Sequence, residues 1–166
     1  MMPISRVAAL LSICISVAAI KEPGSGIDFP KKSKLGTLQS FGLRKKGPIK
    51  VYAVGMYQDS FKSKGFMLKM AMGVGAPKMT TALVDALKPR CNDAKALDQF
   101  SDVMLAGLPD GCAKGMSLAF GTGGGKLSLT VNGKSVGAVS SKPLAKAFAN
   151  IYCDKNAVCA LNPAEC

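Results

Sequence analysis

Arg44 and Tyr52 are two side chains whose chemistry could serve one small ligand. A guanidinium offers a planar fork of N–H donors and a phenol adds an O–H, so together they can donate to a single carboxylate. The same pair can hold a phenolate or an enone oxygen. Arg44 belongs to Gly42-Leu43-Arg44, which reads as a turn and is followed by Lys45, Lys46 and a Gly47-Pro48 turn signal. Residues 49–57 then read as one strand, whose successive side chains point to opposite faces. Lys50, Tyr52, Val54 and Met56 share one face, and Val51, Ala53, Gly55 and Tyr57 the other. On these residues alone the plainer reading wins: Arg44 is a structural cation in a solvated turn, Tyr52 a half-buried sheet residue, and the chain a secreted interaction module.

The remaining composition removes several chemistries. There is no histidine among the 166 residues, so His-based triads, His general bases and His-ligated metals are excluded. The six cysteines are widely spaced and match neither a zinc ribbon nor a Cys-x-x-Cys redox motif. With Cys14 set aside in the first segment, five remain, giving up to two disulfides and one free thiol in an oxidising compartment. Cys91 with Cys112, and two of Cys153, Cys159 and Cys166, are the pairs to consider; in a reducing organelle all five stay thiols. The glycine run before Lys126 is no phosphate loop, because Phe120 stands at the first glycine position of that motif and Leu127 follows the lysine. No metal and no cofactor is expected.

The formal net charge is +12. The cations are dispersed, aromatics are scarce and no recognition helix or finger pattern occurs, which argues against nucleic acid and for weak attraction to an anionic membrane surface. A monomer is expected. Arg6 precedes fourteen largely apolar residues, 7–20, which suits a secretory h-region better than a spanning helix of about 20 residues. Residues 1–19 are therefore expected to be a signal peptide, sending the chain to secretion or to an organelle such as a plastid reached by that route. Residues 20–35, with Lys31, Lys32 and Lys34 among Gly, Ser and Pro, have the composition of a basic linker or targeting extension.

One domain must position Arg44 and Tyr52. A second strand with Phe66, Leu68, Met70 and Met72 on one face follows the first, and helical spacing then brings in Met79, Leu83 and Leu87. A second helix opens at Asn92 and turns Leu97, Phe100, Met104 and Leu105 inward. Met116, Leu118 and Phe120 alternate along another strand, and Asn132-Gly133 supplies a two-residue hairpin turn between strands at 127–131 and 134–139. Ser140 or Ser141 caps a last helix with Leu144, Ala147, Phe148, Ile151 and Tyr152 on its apolar face, whose role reads as packing. The pattern predicts an α+β domain with an antiparallel sheet covered on one side by helices, and a tail at 159–166 lying on the surface.

These residues also resemble a family. Gly42-x-Arg44, the basic turn and Lys50-Val51-Tyr52-Ala53-Val54-Gly55-Met56-Tyr57 are similar to the signature of the chalcone isomerase superfamily, and the likeness extends over residues 36–158. The superfamily contains true isomerases, non-catalytic isomerase-like proteins and plastid fatty-acid-binding proteins. The resemblance implies an open-faced β-sandwich with a ligand cleft between sheet and helices. It puts the cleft arginine at Arg44, and Tyr52 where the enzymes carry a catalytic threonine and the fatty-acid-binding branch a tyrosine. The enzymes also bring a tyrosine and an asparagine from the helix that aligns near 79–87, where this chain has neither.

The function so implied is non-catalytic binding of a fatty acid or similar apolar carboxylate. Arg44 and Tyr52 would hold the head group and Val54, Met56, Met79, Leu83 and Leu87 would line an apolar tunnel. Burying about 14 methylenes at roughly 0.8 kcal/mol each gives on the order of 11 kcal/mol gross, whereas an ionic hydrogen bond adds about 1.5 to 3 kcal/mol. The tunnel would supply affinity and Arg44 orientation. The alternative is an intramolecular lyase closing a flavonoid-like enone, with Arg44 and Tyr52 as its catalytic pair.

Overall fold

The computed structural model describes residues 18–166; the expected signal peptide lies mostly outside the described residues, as does Cys14. Among these described residues ten strands and three α-helices follow in chain order: β1 (Ala19–Lys21), β2 (Asp28–Pro30), β3 (Lys32–Ser33), β4 (Gly36–Lys46), β5 (Ile49–Gln58), β6 (Lys64–Met70), α1 (Ala76–Leu87), α2 (Ala94–Gly107), β7 (Ser117–Gly121), β8 (Lys126–Val131), β9 (Lys134–Ser140), α3 (Lys142–Cys153) and β10 (Leu161–Asn162). The main sheet runs β10-β4-β5-β6-β7-β8-β9, with β3 also paired to β4, and each pairing is antiparallel. The helices lie against one face, giving an α+β open-faced sandwich.

Register explains the core. Met56, Phe66 and Phe120 stand abreast on β5, β6 and β7, as do Val54, Leu68 and Leu118 in the next row. All six are at most 1% exposed. The apolar faces of the helices close over them, and Phe148 of α3 stacks on Phe120 with ring centroids 4.4 Å apart. Phe66 in turn stacks on Tyr152 at 5.1 Å, which fixes α3 over β6.

Several local features differ from the expectation. Gly42-Leu43-Arg44 is no turn: it continues strand β4, and the reversal comes at Gly47, whose φ of 61° suits glycine. Gly42 serves close approach instead, since a Cβ there would meet the Ala160 carbonyl oxygen at 2.4 Å where the tail pairs as β10. The N-cap of α2 is Asp93 rather than Asn92; its carboxylate accepts from Ala96 N at 3.1 Å and from the Ser141 hydroxyl at 2.9 Å, joining the starts of α2 and α3. Residues 20–35, read as linker, include a hairpin of β1 and β2 lying on the sheet face away from the helices. Phe29 there is fully buried, a Cβ at Gly55 would lie 2.8 Å from its ring, and Tyr57 donates to the Pro30 carbonyl at 2.7 Å. Glu22 shapes the turn by accepting from the backbone N–H groups of Gly24 and Ser25.

Among the described residues one disulfide forms, Cys153 to Cys166, and Cys91, Cys112 and Cys159 are free thiols. The pairing of Cys91 with Cys112, one of those the sequence left open, does not occur, for a geometric reason. Cys112 is tied by two backbone hydrogen bonds to Val74, just before α1, whereas Cys91 follows the other end of that helix. A helix of 12 residues separates them by roughly 18 Å, and a disulfide needs Cα atoms within about 7 Å.

Candidate functional site

At the β4–β5 end of the sheet, α1 and the tail stand away from the strands and leave a cavity of about 360 Å³. This is at the small end of the range of roughly 300 to 1,000 Å³ usual for small-molecule sites. Its inner wall is Tyr52, Met79, Leu83 and Ile151, all buried, and its rim includes exposed Lys46, Ile49, Met72 and Lys78. Arg44, Lys46 and Lys78 bring positive charge, and no carboxylate lines the cavity.

Arg44 and Tyr52 are direct cross-strand partners. Beyond them the pairing slips, from Arg44 opposite Tyr52 to Lys45 opposite Lys50, so Val51 is the extra residue of a bulge. The bulge lets Val51 and Tyr52, neighbours in sequence, both line the cavity. Between Tyr52 and Tyr57 the β5 alternation is unbroken, so Tyr57 points to the opposite face, as parity predicts.

The polar groups are held from behind. Arg44 Nη1 donates to the Val158 carbonyl oxygen at 2.7 Å, joining the sheet to the tail. The hydroxyl oxygens of Tyr52 and Tyr152 are 3.1 Å apart. Burial pushes both phenols above their usual range, so both are neutral donors at physiological pH, although Arg44 pulls the other way. Cys159 lies in the same electrostatic neighbourhood, its thiol pushed up to about 11 by burial against the pull of Arg44. The tail is further braced by Arg90, whose guanidinium takes both oxygens of Asp154, at 2.8 and 3.1 Å, and donates to the Asn156 carbonyl at 2.9 Å. Among the described residues no group of three His, Cys, Asp or Glu side chains gathers to hold a metal.

Of the residues singled out from sequence, Arg44, Tyr52, Met79 and Leu83 line the cavity. Val54, Met56 and Leu87 do not: they are at most 1% exposed and fill the closed core farther along the sheet. The space instead runs outward past Val51, Val74 and Ala86. Sequence reasoning gave Tyr152 only a packing role and missed Lys46, Lys78 and Val158, which reach the site through the turn, the first turn of α1 and the tail.

No family model and no curated protein matches the sequence. Among solved structures, the fatty-acid binding protein AtFAP1 of Arabidopsis thaliana superposes with a TM-score of 0.73 at 20% identity, over 85% of this chain and 94% of that one. The fold is the open-faced β-sandwich of the chalcone isomerase type. In this chalcone isomerase-type fold the cavity lies between sheet and helical layer, with Arg44 and Tyr52 on its sheet side.

Proposed function

We propose that the protein binds a fatty acid or similar apolar carboxylate in this cavity without transforming it. The observation that carries the reading is the placement of Arg44 opposite Tyr52 at one wall of a cavity whose other walls are largely apolar and free of carboxylates. Arg44 keeps N–H groups beyond the one given to Val158, and the neutral Tyr52 phenol adds an O–H, so a carboxylate finds donors from two adjacent strands. The chain of the ligand lies along Val51, Met79 and Leu83 and continues toward Ile49 and Met72 at the rim. A fatty-acid binding neighbour of the same fold supports the ligand class.

Native mass spectrometry of the purified protein, with extraction of whatever accompanies it, tests this. A bound apolar carboxylate that is missing from Arg44→Ala is the expected result. Turnover of a chalcone by the same preparation would replace the reading with an intramolecular lyase.

A further inference from the structure

We propose that the mouth of the cavity is a docking surface for a bilayer containing anionic lipid. The reversal between β4 and β5 presents Lys45, Lys46, Ile49 and Lys50 together, all exposed, with Gly47 and Pro48 at its tip. Ile49 is 52% exposed and Met72 36%, and both line the cavity. They are two of the four exposed large apolar side chains among the described residues, and they stand at the same opening. Lys78 adds a cation from the first turn of α1.

Apolar tips framed by lysines match the interface of an anionic bilayer. The cations are drawn to the negative headgroup potential, and the apolar side chains enter the boundary beneath it. A second copy of the chain fits this face poorly, because a symmetric contact would set Lys45, Lys46 and Lys50 against their own counterparts. The biological use of the surface rests on the cavity reading: an apolar carboxylate partitions into bilayers, and a cavity opening at the bilayer exchanges it without passage through water.

Co-sedimentation of the full chain with phosphatidylcholine vesicles, with and without phosphatidylglycerol, tests docking. Binding to the anionic vesicles that weakens with added salt is expected. The double variant Lys45→Glu/Lys50→Glu should lower partitioning at least about ten-fold, and Ile49→Asp should lower it as well. Lys45 and Lys50 do not line the cavity, so the double variant should keep its fatty-acid affinity in a vesicle-free titration. Equal binding to both vesicle types, or partitioning indifferent to the charge reversal, would overturn the proposal, as would a concentration-dependent dimer abolished by Ile49→Asp. Vesicle binding without any fatty-acid binding would uphold docking and sink the cavity reading, so the two failures are distinguishable.

Discussion

The hydroxyl oxygens of Tyr52 on β5 and Tyr152 on α3 meet at 3.1 Å within the buried core. Two phenols sharing one hydrogen bond leave one O–H proton unused. Tyr52 lines the cavity and Tyr152 does not, so a Tyr152 hydroxyl donating to Tyr52 leaves the Tyr52 proton for a ligand. A helix that reads as packing in the sequence thereby brings a hydrogen-bonding hydroxyl to Tyr52 from behind the cavity wall.

Tyr152→Phe tests this relay. The ring that stacks on Phe66 is kept and only the hydroxyl is lost. Fatty-acid affinity measured by calorimetric titration should fall about five-fold, corresponding to about 1 kcal/mol, with a similar loss in unfolding free energy. Unchanged affinity would mean that Tyr152 does not set the Tyr52 proton.

The chain has three tyrosines, and burial raises the pKa of every one. Folded phenols raised above the unfolded value of about 10 contribute stability that is fully present below pH 10 and lost as pH rises through the folded values. Cys159, raised to about 11, acts the same way from about pH 9 upward. Melting temperature should therefore fall in this alkaline range. Spectrophotometric titration should show no tyrosinate at pH near 10 in the native protein and ordinary titration in urea; ordinary titration of the folded chain would contradict the burial described.

The N-terminal hairpin and the tail are integral to the domain. Phe29→Ala should cost about 3 to 5 kcal/mol in urea unfolding, whereas a linker residue would cost almost nothing. Cys153→Ser opens a loop with a sequence separation of 13 and should cost about 3 kcal/mol. Because that tail carries Val158, the acceptor of Arg44 and a part of the cavity wall, ligand affinity should fall with it.

Alternation made the strands legible: Phe66, Leu68 and Met70 lie on the core face as their spacing requires, and Asn132-Gly133, with φ of 49° and 80°, forms the expected hairpin turn. The same alternation put Val54 and Met56 on the correct face but could not show whether that face was closed or open. Closure depends on how far α1 stands from the sheet, a tertiary distance that no local pattern encodes. Phe29 illustrates a second limit: one aromatic among lysines and glycines carries no periodicity, and its burial depends on Gly55, a residue remote in sequence that leaves room for it.

The most direct test is calorimetric titration with a long-chain fatty acid and with its methyl ester, for the wild type and Arg44→Ala. An ionic hydrogen bond of about 1.5 to 3 kcal/mol predicts wild-type preference for the acid by roughly 10- to 150-fold, and loss of that preference in Arg44→Ala. Equal affinity of the wild type for acid and ester would contradict the assignment of Arg44 and Tyr52 as the head-group site.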